Sequence, residues 1–99
     1  MVYDLVKFAN KINFLFRYDD IDIAILVLVA FENCSVNEVM DNLRIAHRTT
    51  LYHLKKLEGD KLIIRKRDGL FKKVYLTKKG KNLLKQYISL LEEALDEKK

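Results

Sequence analysis

The chain has no proline, three glycines and a single cysteine among its 99 residues. Without proline, a low-complexity tract or an internal repeat, nothing marks a linker, and the length suits one domain. Three scattered glycines cannot form a glycine-rich phosphate loop. Cys34 stands alone, so no intramolecular disulfide can form and a reducing, cytoplasmic setting is expected. A reduced, partly buried thiol is the plain expectation for it; an intermolecular disulfide through Cys34 is the sharper alternative.

Other scarcities exclude whole classes of function. His47 and His53 are the only histidines, on different faces of one helix and far in sequence from Cys34. No metal-ligand cluster is visible at that spacing, and no metal or cofactor is expected. No nucleophile sits with a base and an orienting acid, so an enzyme is not expected. Asp19, Asp20 and Asp22 read as a helix start. The most apolar run, residues 21–31, contains Asp22 and is about half the length that spans a bilayer, so no membrane partner is expected. No signal peptide is visible: Asp4 interrupts the N-terminus and its apolar residues are spaced.

What is abundant is positive charge, unevenly placed. The net charge is +5, with 49% hydrophobic and 33% charged residues, enough for a real but small core. Between positions 44 and 81 thirteen Lys and Arg face three acids, Glu58, Asp60 and Asp68, so the flanks together carry −5. A solvated surface mixes its signs; segregation on this scale favours a polyanion-binding middle.

Apolar spacing orders the elements. Leu5, Phe8, Ile12 and Leu15 predict a first helix over residues 2–16, within an N-terminal segment 1–17. Residues 21–32 form a second helix, apolar nearly all round and therefore central. Ser35 and Glu38 make a capping box opening a third, with Val36, Val39, Met40 and Leu43 inward. Residues 45–57 form a fourth. Thr50, Leu51, Leu54 and Leu57 line its inner side; the rest is cations, donors and an aromatic, which a major groove accepts. Gly59 is the expected helix exit. Strands over 62–67 and 71–76 flank Asp68-Gly69, a strong hairpin signal, with Leu62, Ile64, Val74 and Leu76 inward. Thr77 caps a last helix over 78–97. It carries two apolar stripes, Leu84, Ile88, Leu91, Leu95 and Leu83, Tyr87, Leu90, Ala94. One suits the chain's own core and the other a second subunit.

This order, mainly α with a small β-hairpin (α+β), resembles a winged helix-turn-helix with extra N- and C-terminal helices. Thr49-Thr50-Leu51-Tyr52-His53-Leu54-Lys55-Lys56-Leu57-Glu58 is similar to the recognition helix of MarR-like and ArsR-like transcriptional regulators. Leu62-Ile63, the basic hairpin and Tyr75-Leu76-Thr77-Lys78-Lys79-Gly80 match the wing and its exit. Two positions depart: Ala46 stands where the family often has a Ser or Thr cap, and Lys61 where it often has Gly.

The resemblance implies a homodimer that binds double-stranded DNA, with helix-turn-helix 35–57, wing 62–76 and a dimerisation helix 78–97. The front of the second helix reaches base edges, which nominates His47, Arg48, Thr49, Tyr52 and His53. Lys55, Lys56, Arg65, Lys72 and Lys73 would meet phosphates, and Arg67 suits the minor groove. Leu5, Phe8 and Ile12, with Leu84, Ile88, Leu91 and Leu95, are the candidates for pairing subunits. The expected function is sequence-specific DNA binding in transcription. A non-specific architectural protein and a winged-helix protein-interaction module that binds no DNA are the alternatives. No residue names a small-molecule effector.

Overall fold

The computed structural model of the protein describes residues 17–96. The expected first helix, with Leu5, Phe8 and Ile12, lies outside the described residues. Helix α1 spans Asp20–Phe31, β1 Cys34–Ser35, α2 Val36–Leu43, α3 His47–Gly59, β2 Ile63–Asp68, β3 Phe71–Leu76 and α4 Lys78–Asp96. The described chain is thus mainly helical, with a three-stranded antiparallel sheet in the order β1-β3-β2. Strand β1, two residues long, is too short for any sequence period to reveal. It pairs Cys34 with Val74 and Ser35 with Lys73, tying the chain between α1 and α2 to the wing.

Local chemistry sets most boundaries. Asp19 and Asp22 form a capping box at the start of α1, and Ser35 and Glu38 a second at the start of α2. Each side chain accepts the other residue's amide, satisfying two donors the helix leaves open. Helix α2 ends at Arg44, whose φ of 54° turns the chain toward α3. Ala46 is the N-cap of α3 and makes no side-chain cap bond, so the helix begins one residue beyond it without the family's usual device.

The other end of α3 corrects the expected exit. Gly59 is still helical, and the left-handed residue is Lys61, with φ 63°. The Lys61 amide donates to Glu58 O at 2.9 Å and the Leu62 amide to Leu57 O at 3.0 Å. This is the two-bond Schellman closure, with Leu57 and Leu62 as its apolar clasp; both are fully buried. Lys61 therefore occupies the place where the family pattern favours glycine.

The core joins all the layers. Ile25, Leu26 and Val29 of α1 meet Val39 of α2, Leu54 and Leu57 of α3, Leu62, Ile63 and Val74 at the wing root, and Leu83 of α4. Burying each such side chain contributes roughly 1.5–3 kcal/mol before chain entropy is charged against it. Within β2 it is Ile63 that points in; Ile64, expected inward, is 40% exposed beside Tyr75. Leu62 takes the second inward place from the bend before the strand, and a one-residue shift turns a strand's faces over.

Helix α1 is apolar on both sides, but the described residues cover only one. Ile25, Leu26 and Val29 are enclosed, while Phe31 is 86% exposed. The open side forms an apolar groove of about 820 Å³ with α4, lined by Ile23, Val27, Phe31, Leu43, Tyr87 and Leu91 among others. On α4, Leu83 is buried and Leu84, Tyr87 and Leu90 pack on the core, whereas Ile88, Leu91 and Leu95 are at least half exposed. Among the described residues no helix is long and apolar enough to cross a membrane.

Thr77 and Gly80 lock α4 to the wing root. The Thr77 hydroxyl donates to the Lys61 and Leu62 carbonyls at 2.7 and 3.0 Å and accepts the Gly80 amide at 3.0 Å. Gly80 is buried because a Cβ there would run into the Leu62 carbonyl oxygen and approach Leu76 Cδ1 to 2.8 Å. The sequence motif ending in Gly80 is thus a close contact between backbones.

Candidate nucleic-acid interface

Helix α3 divides sharply between an anchored and an exposed face. Thr50, Leu54 and Leu57 are buried, and Thr50 also donates its hydroxyl to Ala46 O at 2.9 Å. His47, Arg48, Tyr52 and Lys55 are exposed, and Thr49 is half-buried at the margin. Tyr52 stands 66% exposed, its ring edge-on to His53 at 5.1 Å between centroids.

His53 corrects the expectation of a DNA contact. It is 5% exposed and belongs to the anchored face. Its Nδ1–H donates to Asp22 Oδ1 at 2.7 Å, 31 residues away in sequence on α1. Lys56, expected on a phosphate, also turns to Asp22, its Nζ donating to Oδ2 at 2.6 Å. Positions three apart on a helix share a face, so both side chains converge on one fully buried carboxylate. Burial alone would push the Asp22 carboxyl up; hydrogen bonds from Lys56, His53 and the Asp19 amide outweigh it and hold the carboxyl below its usual range. The same contact raises the Lys56 ammonium above its ordinary value.

In the sequence Asp22 read as part of a helix start and as an acid inside the most apolar stretch, not as the partner of another helix. The fold brings it together with Asp19 and His53 into a group whose ligand atoms lie within 4.8 Å of one another. Sequence spacing could not reveal that cluster, because the histidine arrives from another helix. Its oxygens are engaged by the Lys56 ammonium, the His53 ring and the two capping amides.

A second polar link braces the end of α3. The Tyr18 hydroxyl donates to Asp60 Oδ2 at 2.9 Å, and Arg17 reaches Asp60 Oδ1 at 3.4 Å. Burial first, then the hydrogen bond to Asp60 and its negative charge, push the Tyr18 phenol up to about 12. Lys79 of α4 donates to the Asp60 carbonyl at 2.9 Å.

The wing carries the other predicted cations in different settings. Arg65 at its root is ion-paired with Glu58 of α3 at 2.7 Å, a structural bond and not a free cation. Lys66, Arg67 and Lys72 are exposed, with Lys66 Nζ 5.9 Å from the centre of the Tyr75 ring; Lys73 is half-buried. Cross-strand register sets Lys66 opposite Lys73 and Arg67 opposite Lys72. Like charges directly opposite one another destabilise a ribbon.

Cys34 is buried in β1, and its thiol donates to Glu32 O at 3.0 Å. Burial, then the nearby Glu38 and Glu32 charges, push its pKa up. A disulfide from Cys34 to another chain would require β1 to open first.

No family model matches the chain, and no curated protein matches it. Solved structures do. The transcriptional regulator BldR from Sulfolobus solfataricus is 23% identical with a TM-score of 0.73, over 92% of this chain and 68% of that one. The transcriptional regulator Tm0710 from Thermotoga maritima is 23% identical with a TM-score of 0.80, over 88% of this chain and 64% of that one. The S. aureus MepR–DNA complex is 21% identical with a TM-score of 0.79, over 96% of this chain and 82% of that one. The chain thus spans about two thirds of the length of the first two regulators. The chain has the winged helix-turn-helix fold of MarR-like transcriptional regulators.

Proposed function

We propose that the chain is a sequence-specific, double-stranded DNA-binding transcriptional regulator that works as a homodimer. Exposed His47, Arg48 and Tyr52 of α3, with half-buried Thr49 at their margin, meet base edges in the major groove, and Lys55 meets phosphate. Arg67, Lys72 and Lys73 of the wing grip the flanking backbone or minor groove. The observation that carries this reading is the split of α3 into a core-anchored face and an exposed, acid-free face at the start of the helix, the part that enters the groove in a helix-turn-helix. Likeness in fold to a regulator solved with DNA supports it. The uncapped first turn adds partial positive charge where a phosphate can approach. His53, Lys56 and Arg65 hold the helix and the wing root in place and leave the set of direct contacts.

The exposed stripe Ile88, Leu91 and Leu95 on α4 supports pairing with a second copy. A twofold pair would set two recognition helices about one turn of the duplex apart.

Selection of bound duplexes from a random pool tests the reading. A near-palindromic consensus is expected, with affinity falling steeply as salt rises. Arg48→Ala should relax preference at one position, while Lys72→Ala should weaken all duplexes alike. A bound pool without consensus would identify an architectural protein. A dimer that binds no duplex at low salt would identify a protein-interaction module.

A further inference from the structure

The wing ends in a two-residue turn, Gly69-Leu70, since Asp68 and Phe71 are the last pair of the ladder. Gly69 supplies the left-handed backbone, φ 67°. The next position in such turns ordinarily goes to Gly, Asn, Asp or Ser, which water and local hydrogen bonds favour. Here it is Leu70, 89% exposed, and Phe71 beside it is 60% exposed. Neither packs on the core, and neither is needed to make the turn. Directly behind them Arg67 and Lys72 face each other across the ribbon. Like charges opposed in this way cost stability, and negative charge brought against them relieves that cost.

We propose that this tip is an apolar wedge: Leu70, backed by Phe71, enters the minor groove and parts a base step while Arg67 and Lys72 hold the phosphates on either side. The inference rests on the DNA-binding reading above and adds to it how the wing engages and deforms the duplex. An apolar tip mounted on paired cations matches the chemistry of a duplex, with charged rails outside and apolar base faces inside. Leu and Phe are among the side chains that unstack base steps from the minor groove, bending the duplex toward the major groove. A groove roughly 6 Å wide admits a narrow ribbon tip. Flexible pyrimidine–purine steps yield most easily, so the wing would prefer them in the flank without a hydrogen bond to any base.

The test uses the full chain and a 30-bp duplex recovered from the random pool, with a donor and an acceptor dye at its ends. A parallel set carries 2-aminopurine at each flanking adenine in turn. The wild-type chain should shorten the end-to-end distance and brighten the probe at one flanking step. Leu70→Ser should abolish both changes and bind about tenfold more weakly, the loss of roughly one buried apolar side chain. Its salt dependence should be unchanged, because an apolar contact releases no counterions. Leu70→Met should retain bend and brightening. Arg67→Ala should instead reduce the salt slope by about one. If the wild type binds the duplex and Leu70→Ser bends and brightens it equally, the wedge is overturned while the regulator reading stands. If Leu70→Ser binds DNA normally but loses attachment to phosphatidylglycerol vesicles, the tip is a lipid contact and the wedge is equally overturned. If the wild type binds no duplex from the pool, the regulator reading itself fails.

Discussion

Asp22 of α1 and His53 of α3 meet at 2.7 Å inside the protein. Lys56, one turn further along α3, closes on the same carboxylate at 2.6 Å. One fully buried charge is thereby matched by two donors from a single helix. A buried carboxylate is costly unless paired and hydrogen-bonded, so this contact pins the rotation of α3 about its axis. With His53 and Lys56 turned to Asp22, Arg48, Tyr52 and Lys55 are left facing outward. The anchor thus chooses which face of α3 is exposed.

Asp22→Ala should cost about 3 kcal/mol, as breaking a buried pair does, and lower Tm by about 10–20 °C in a domain this small. The pH dependence follows from the lowered carboxyl. A group whose pKa is depressed by folding contributes stability above its ordinary value, here 3.8, and loses it as pH falls through the lower folded-state value. Urea unfolding between pH 7 and pH 2 should show a fall for the wild type that is shallower in Asp22→Ala.

Gly80 and Gly59 should respond to alanine with opposite signs. At Gly80 the added methyl meets the Leu62 carbonyl, which the backbone cannot yield without breaking the Thr77 contacts. Gly80→Ala should cost at least about 2 kcal/mol, in the range of core overpacking. At Gly59 a Cβ meets nothing within 4 Å, and Gly59→Ala should stabilise by about 0.5–1 kcal/mol through helix propensity. Thermal melts of the two variants decide it.

Lys61→Gly should stabilise the chain by about 1 kcal/mol, since a residue with a Cβ bears roughly 1–2 kcal/mol of strain in the left-handed region, offset in part by glycine's entropy. Lys61 holds that conformation because the Schellman closure requires it. A Tm equal to or below that of the wild type would show that the lysine side chain contributes something beyond the turn.

Tyr18 should ionise late, near 12 against an ordinary 10.0 for a phenol. A phenol raised by folding contributes stability below pH 10 and loses it as pH rises toward 12. Spectrophotometric titration should resolve this late step. Asp60→Asn should bring it part of the way back, since burial, the larger cause, remains.

Among the described residues, helix existence and most helix starts were legible locally. Ser35 and Glu38 announced a capping box, Asp68-Gly69 the hairpin, and the two stripes of α4 an inner and an outer face, except that Leu84, expected on the outer stripe, packs on the core. These features depend on residues a few positions apart, which a linear reading compares directly. Elsewhere a local rule met a nonlocal demand. Gly59 looked like the exit of α3, but the clasp of Leu57 with Leu62 moved the turn to Lys61. Ile64 looked inward, but register with Tyr75 turned it out and brought Ile63 in.

By itself the sequence determined, among the described residues, which segments coil, where the wing hairpin lies, and that positive charge gathers between residues 44 and 81. Only the tertiary structure decided which polar residues of α3 belong to that charge and which to the core. Periodicity marks a buried side but does not say what lies across from it. Asp22 is 31 residues from His53 and 34 from Lys56, and a carboxylate buried at that distance outbids water for both.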